Sequence, residues 1–122
     1  MAKTILIIDD SASLRQVVGI ALGEAGYEVI EACDGRDALA KLNGPKIHLM
    51  LCDVNMPNLD GFGFLQAKRE LPNHKFTPVI MLTTEAGEDQ KREGQAAGAR
   101  AWMVKPFKPE QLLQAVAKLM LP

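Results

Sequence analysis

The sequence predicts an α/β fold, a three-layer sandwich in which helices cover both faces of a five-stranded parallel sheet. Five short apolar runs of strand length alternate with five segments whose apolar residues recur at helical spacing. Strands that alternate with helices are joined by right-handed crossovers, which leave the strands parallel and place helices on both faces. At 122 residues the chain fits one domain with a sizeable core.

The predicted strands are apolar and rich in β-branched residues, as expected of strands that are buried on both faces. The third is the most informative, because the apolar run ends in a carboxylate, Asp53, and Pro57 then prevents the strand from continuing. The strands are predicted, in chain order, at residues 4–8, 27–32, 47–52, 79–82 and 101–104.

The predicted helices are bounded by residues with capping or turn chemistry. Ser11 and Ser13 are candidate N-caps of the first helix, and Gly26 suits the position after its end. The fourth helix is polar and contains Gly94, which costs about 1 kcal/mol relative to alanine. The helical patterns run through residues 14–25, 38–42, 62–71, 88–97 and 112–120.

The composition is that of a soluble globular protein and excludes several functions. A net charge of −1 gives no indication of binding to nucleic acid or to an anionic membrane. No apolar run approaches the ~20 residues of a membrane span, and the N-terminus does not resemble a signal peptide, so we expect a cytoplasmic protein without membrane insertion. Cys33 and Cys52 lack metal-ligand spacing and are predicted to be core or near-core thiols.

Polar side chains follow four of the predicted strands at the point where each strand ends. In a parallel sheet the ends of strands 1, 3, 4 and 5 can lie along one edge, which is where ligands bind in open α/β folds. Asp53 alone also fits an ordinary aspartate that caps the next turn. Its coincidence with the other residues favours a site, whose candidate members are Asp9, Asp10, Asp53, Thr83 and Lys105.

These residue types together indicate phosphoryl chemistry. Three neighbouring carboxylates repel each other unless a cation lies among them, and Mg²⁺ is the hard cation that carboxylates bind while leaving positions for water or phosphate oxygens. A lysine and a threonine hydroxyl suit an incoming phosphoryl oxygen. The site is therefore predicted to accept a phosphoryl group on an aspartate, with Mg²⁺ and the lysine offsetting the charge.

Five motifs support a more specific interpretation. They are Ile7-Ile8-Asp9-Asp10-Ser11, Cys52-Asp53-Val54-Asn55-Met56-Pro57, Asp60-Gly61, Met81-Leu82-Thr83-Thr84-Glu85-Ala86 and Val104-Lys105-Pro106-Phe107. With these motifs the sequence resembles the receiver domain of two-component response regulators over its whole length. The resemblance implies a flavodoxin-like fold with strand order 2-1-3-4-5.

The resemblance also implies a role for each residue of the predicted site. Asp53 would be the phosphoacceptor, Asp10 a direct Mg²⁺ ligand, and Asp9 a ligand acting largely through water. Asn55 would offer its backbone carbonyl to the metal, and Lys105 would pair with the phosphoryl group. We predict that the Lys105–Pro106 peptide is cis, because the lysine must be directed inward at the end of its strand.

The resemblance further implies a conformational switch. Thr83 would be the switch hydroxyl, which moves toward the phosphoryl group. Trp102 stands where the family commonly has a tyrosine or phenylalanine that rotates inward with the threonine, although it also fits a half-exposed aromatic on an edge strand. The two histidines, His48 and His74, are not needed for this chemistry and are predicted at the surface or at a strand edge.

We expect residues 1–122 to form a single receiver domain without an output domain, acting by binding rather than as an enzyme. The expected phosphodonor is a sensor histidine kinase, and the expected output is docking of the monomer on a downstream protein, such as a flagellar motor switch in chemotaxis. A phosphatase is a further candidate partner. The alternative within the family is a phosphorelay intermediate or phosphate sink, with helix 1 and the loop after strand 5 as its contact surfaces.

Two other classes of protein remain as alternatives at this stage. A haloacid-dehalogenase-type phosphatase also uses an aspartate at a strand end, but it requires a second acid two residues later, where this chain has Asn55. A flavodoxin would need a phosphate-binding loop after strand 1, where this chain has Asp9 and Asp10, which would repel phosphate in the absence of metal.

Overall fold

The computed structural model describes residues 2–44, 46–84 and 88–120, except for the side chains of Glu88 and Gln90, and within them five strands alternate with five helices. The elements are β1 Thr4–Ile8, α1 Ala12–Glu24, β2 Glu28–Ala32, α2 Gly35–Lys41, β3 Leu49–Asp53, α3 Gly61–Arg69, β4 Val79–Thr83, α4 Glu88–Ala96, β5 Ala101–Val104 and α5 Pro109–Leu119. All strand pairs are parallel, and the sheet order is β2-β1-β3-β4-β5, which confirms the predicted fold.

The apolar character of the central strands follows from the two hydrophobic layers that they separate. Ile5 and Ile7 of β1 face the layer formed with α1 and α5, whereas Leu6 and Ile8 face the layer on the side of α2 and α3. All four side chains are fully buried. Because alternate residues of β1 enter opposite cores, a continuous apolar run is required there rather than an alternating one.

The predicted boundaries differ from the structure by one or two residues at several ends. The third strand begins at Leu49 rather than at residue 47. Just before it, the backbone N–H of Thr4 donates to Nδ1 of His48 at 3.0 Å, and the backbone N–H of His48 donates to the carbonyl of Thr4 at 2.8 Å. Ser11, and not Ser13, is the N-cap of α1, and its Oγ accepts from the N–H of Leu14 at 3.2 Å. Gly26 adopts the predicted left-handed conformation after the helix, with φ of 97°.

Two predictions about individual side chains were wrong. Cys33 is exposed in the loop before α2, although Cys52 is buried as predicted. His74 is only 7% exposed, and its Nε2–H donates to the carbonyl of Leu42 at 3.0 Å. The ring is buried because the segment between α3 and β4 lies against the end of α2.

In the described ranges, none of the helices has the length and hydropathy needed to cross a membrane. Glu85 and Ala86, the last residues of the motif that follows β4, lie outside the described residues.

Candidate functional site

Three carboxylates meet at the carboxyl edge of the sheet. Asp9 and Asp10 directly follow β1, and Asp53 is the last residue of the neighbouring strand β3. One carboxylate oxygen of each lies within 4.8 Å of the others. Asp9 is fully buried and Asp53 is 6% exposed, whereas Asp10 is exposed to solvent. The group therefore combines two buried acids with a third that is open to solvent.

Lys105 supplies a positive charge to this group. Its Nζ lies 2.7 Å from Oδ2 of Asp9 and 3.3 Å from Oδ1 of Asp53, so a single ammonium bridges two of the carboxylates. The lysine follows β5, and its backbone N–H donates to the carbonyl of Thr83 at 2.6 Å. The peptide between Lys105 and Pro106 is cis, as predicted.

The pKa of Asp53 is raised although an ammonium lies beside its carboxylate. Burial and the neighbouring Asp9 charge raise the pKa of Asp53 to about 6, against the lowering effect of Lys105. Burial by itself would lower the pKa of Lys105, but Asp9 and Asp53 outweigh it and raise that pKa overall. A further cation would stabilise the ionised form of Asp53. Carboxylate oxygens at this spacing, one of them open to solvent, fit the hard ligands that Mg²⁺ prefers.

The backbone around Asp9 is held by a residue that the sequence analysis missed. Nη1 of Arg15 donates to the carbonyl oxygen of Asp9 at 2.6 Å, and its Nε donates to the carboxylate of Glu31 at 3.0 Å. Oδ1 of Asp9 also accepts from the N–H of Ser11 at 2.9 Å. The sequence feature that could have indicated this contact is an arginine early in α1. Helical side chains lean toward the N-terminus of their helix, which here follows the end of β1.

The loop after β3 explains the Asp60-Gly61 motif. Asp60 caps α3 by accepting the N–H of Gly63 at 2.8 Å. A Cβ atom on Gly61 would lie 2.4 Å from the carbonyl oxygen of Asp53, so only glycine fits there. Asn55 lies in this loop, exposed and two residues after Asp53. The tight packing at Gly61 therefore fixes the path of the chain that carries Asn55.

Thr83 and Trp102 lie on the strands that continue the sheet from the acids. Thr83 ends β4 and is fully buried, one residue beyond the partner of Asp53 in the strand register. It pairs in turn with Val104 of β5, next to Lys105. The hydroxyl-bearing residue is therefore placed at the acidic edge.

Trp102 is partly buried between two helices, although it lies on the edge strand. Its ring stacks against Phe62 of α3, with centroids 6.4 Å apart and planes inclined by 26°. A Cβ atom on Gly94 of α4 would lie 2.4 Å from Cζ3 of the indole. The glycine inside α4 therefore provides the space that the indole occupies.

The family profile described as "Response regulator receiver domain" matches residues 5–117. The chain belongs to this family. Its members are signalling switches controlled by phosphorylation and bind Mg²⁺ at an acidic pocket. In this chain Asp9, Asp10 and Asp53 form a group that could hold a metal ion. Membership also removes the dehalogenase-type phosphatase and the flavodoxin as alternatives.

Comparison with individual proteins agrees with this assignment. A crystal structure of the chemotaxis protein CheY4 of Vibrio cholerae is 47% identical, with a TM-score of 0.94, and the match covers 98% of this chain and 99% of that one. Protein PilG of Pseudomonas aeruginosa is 37% identical over 112 residues, which are 92% of this chain and 83% of PilG. The probable transcriptional regulator ycf27 of Porphyridium aerugineum is 40% identical over 110 residues, 90% of this chain. The chain spans less than half the length of that last relative, 45%.

Proposed function

We propose that Asp53 accepts a phosphoryl group from the phosphohistidine of a sensor histidine kinase. The observation that carries this proposal is the ammonium of Lys105 between Asp9 and Asp53, beside a group of three carboxylates. In the transfer, a carboxylate oxygen of Asp53 forms a bond to phosphorus, the P–N bond breaks, and the imidazole takes its electron pair. Lys105 would pair with a phosphoryl oxygen on Asp53.

The same residues would hold Mg²⁺, whose chemistry here is to offset the charge of the carboxylates and of the phosphoryl oxygens. Asp10 suits a direct ligand because it is exposed, whereas the carboxylate of Asp9 is already engaged by Ser11 and Lys105. We assign the remaining positions to the carboxylate of Asp53 and the backbone carbonyl of Asn55. Asp9 then acts on the metal largely through water.

An apolar groove beside the site suits the kinase. It has a volume of about 450 Å³ and lies between α1 and the loop that joins β5 to α5, and Lys105 forms part of its wall. Leu14, Val17, Phe107 and Leu112 also line it. Val17 is 58% exposed, so an apolar surface is open to a partner. A kinase helix seated in this groove would bring its phosphohistidine to the acidic edge.

We further propose that phosphorylation changes the face formed by α4, β5 and α5, through Thr83 and Trp102. A phosphoryl oxygen on Asp53 offers Thr83 a charge-assisted hydrogen bond, worth about 1.5–3 kcal/mol. An energy of this size biases a two-state equilibrium without locking it, so some active form precedes phosphorylation. The similarity to the chemotaxis protein CheY4 favours a chemotaxis target, such as a flagellar motor switch, as the partner of that face.

A phosphorelay intermediate or phosphate sink is the second candidate function, and the groove beside α1 favours it equally because both roles need contact with a phosphohistidine protein. The two differ in what the phosphorylated form binds. Pull-down with beryllofluoride and Mg²⁺ as the phosphoryl mimic should enrich a non-kinase target for a switch. A relay protein should retain only histidine-bearing partners, whether or not the mimic is present.

The phosphoacceptor is tested by incubating the protein with acetyl phosphate and Mg²⁺ and measuring its mass. The wild type should gain one phosphoryl group, and Asp53→Asn should gain none. Asp89→Asn is the matched control, because it makes the same change at a fully exposed aspartate on α4. Labelling of the Asp53→Asn protein at the wild-type level would contradict the assignment.

A further inference from the structure

The loop after β3 is fastened to the corner between β2 and α2. Nδ2 of Asn58 donates to Oδ2 of Asp34 at 2.7 Å. The backbone N–H of Gly35 donates to the carbonyl of Leu59 at 3.2 Å. A Cβ atom on Gly35 would lie 2.6 Å from that carbonyl oxygen, so the two segments are in close backbone contact. The loop that carries Asn55 is therefore held from outside as well as by its own turns.

Asn58 has a backbone conformation that few residues other than glycine adopt. Its φ is 69°, in the left-handed region, where asparagine is among the few non-glycine residues that are readily accommodated. That conformation lies within the loop between Asp53 and α3. Without the hydrogen bond from the Asn58 side chain to Asp34, this backbone conformation would no longer be held by a side-chain contact outside the loop.

Asp34 divides its carboxylate between two tasks. Oδ1 accepts the N–H of Asp37 at 2.8 Å and caps α2, and Oδ2 accepts from Asn58. The side chain is buried, and these bonds, with the one from Asp37 as the larger cause, lower the pKa of Asp34. Asp34 is therefore a fixed, ionised acceptor tied to the start of a helix.

The same corner also holds the other segment of the acidic site. The carbonyl of Ala32 accepts the backbone N–H of Asp9 at 3.1 Å. One short segment, residues 32–35, thus contacts both the end of β1 and the loop after β3. The residues that we propose as Mg²⁺ ligands lie on or directly beside these two segments.

We propose that the hydrogen bond between Asp34 and Asn58 is a clamp that positions the loop carrying Asn55 for Mg²⁺ binding. Both are positioning residues, because they act through the backbone of the loop. The inference rests on the proposed function, in which Asp53 and Asn55 help to hold the metal. Partners that orient metal ligands typically contribute about 10- to 100-fold to affinity.

The test is a reciprocal exchange measured by calorimetric Mg²⁺ titration. Asp34→Asn leaves one oxygen for two donors, and Asn58→Asp places two carboxylates together, so each should weaken Mg²⁺ binding by about tenfold. In the double variant Asp34→Asn/Asn58→Asp, the new amide can still cap α2 and can donate to the new carboxylate. It has the net charge of the wild type and should return to within about twofold of its affinity.

The exchange separates positioning from simple electrostatics. The two single variants change the charge in opposite directions, so an electrostatic effect alone would weaken Mg²⁺ binding in Asp34→Asn and tighten it in Asn58→Asp. The clamp proposal would be overturned by that pattern of opposite effects. It would also be overturned by wild-type Mg²⁺ affinity in both single variants, or by no recovery of affinity in the double variant. Urea unfolding of each protein shows whether it is folded during the titration.

A second variant covers the case in which a charged substitution prevents folding. Asn58→Gly keeps access to the left-handed backbone and removes only the side-chain bond, so it should also weaken Mg²⁺ binding by about tenfold. Unchanged affinity in this variant would overturn the clamp. If the wild type itself bound no Mg²⁺, the proposed function would fail together with the inference. If the wild type bound Mg²⁺ and the variants bound it equally well, the clamp would be rejected and the proposed function would stand.

Discussion

Gly94 and Trp102 allow a sharp test of how the face formed by α4, β5 and α5 is packed. Gly94→Ala adds a Cβ that would lie 2.4 Å from Cζ3 of the indole. Carbon atoms in contact prefer about 3.5–4.0 Å, so the ring must move by about 1 Å or leave its position between the helices. We therefore expect Gly94→Ala to displace Trp102 rather than simply to strengthen α4.

Two opposing energies set the size of the effect. Alanine in place of glycine inside a helix is favourable by about 1 kcal/mol. Overpacking of a well-filled contact typically costs about 1–3 kcal/mol. The net change in the free energy of unfolding should lie between about 0 and 2 kcal/mol of destabilisation. The helix term alone would have given stabilisation.

Gly23→Ala is the matched control, because nothing lies within 4 Å of a Cβ at this position near the end of α1. It should show the helix term with no clash and stabilise the protein by up to about 1 kcal/mol. Urea unfolding followed by circular dichroism compares the two variants. Trp102 is the only tryptophan in the sequence, so its emission reports its surroundings directly and should shift to longer wavelength in Gly94→Ala alone. Equal stabilisation by both substitutions, with unchanged emission, would refute the packing argument.

Three further outcomes test the acidic site. The pKa of the Asp53 carboxyl rises from 3.8 to about 6 on folding, so its ionisation at higher pH destabilises the folded protein. In protein treated with a chelator, Asp53→Asn should therefore raise the free energy of unfolding by about 2 kcal/mol more near pH 7.5 than near pH 4. A constant difference in urea unfolding at the two pH values would argue against that pKa. Lys105→Met should tighten Mg²⁺ binding by about tenfold in calorimetry, since the metal no longer competes with the ammonium, yet slow phosphorylation by acetyl phosphate; weaker Mg²⁺ binding would contradict this competition. Thr83→Ala should reduce the emission change of Trp102 on adding beryllofluoride to that caused by Mg²⁺ alone, and a full response would remove Thr83 from the switch.

The sequence predicted the parts of the fold that depend on local pattern. Asp9, Asp53 and Lys105 could be expected at one edge because each follows an apolar run, and in a parallel sheet all such runs end on the same side. The strand order came from the family resemblance and not from the pattern. The roles of these residues in phosphotransfer stay predictions.

The contacts that the sequence analysis missed join residues whose pairing no local pattern specifies. Asp34 and Asn58 are 24 residues apart, and nothing in the sequence near either residue indicates that the two loops meet. Gly94 was interpreted only as a weakness of α4, because the indole that fills its space comes from the following strand. His74 was predicted at the surface or at a strand edge, whereas its burial depends on contact with the end of α2.

We propose that Lys105 connects metal binding with phosphoryl binding in this site. Its ammonium is engaged by Asp9 at 2.7 Å and by Asp53 at 3.3 Å, so it must leave at least one of them to pair with a phosphoryl oxygen. A divalent cation among the carboxylates weakens the hold of Asp9 on that ammonium, because both cations compete for the same charge. The metal would therefore both offset charge on the phosphoryl group and free the lysine to bind it. The backbone N–H of Lys105 donates to the carbonyl of Thr83, and the lysine follows the strand of Trp102, so this proposed change of partner would occur beside both candidate switch residues.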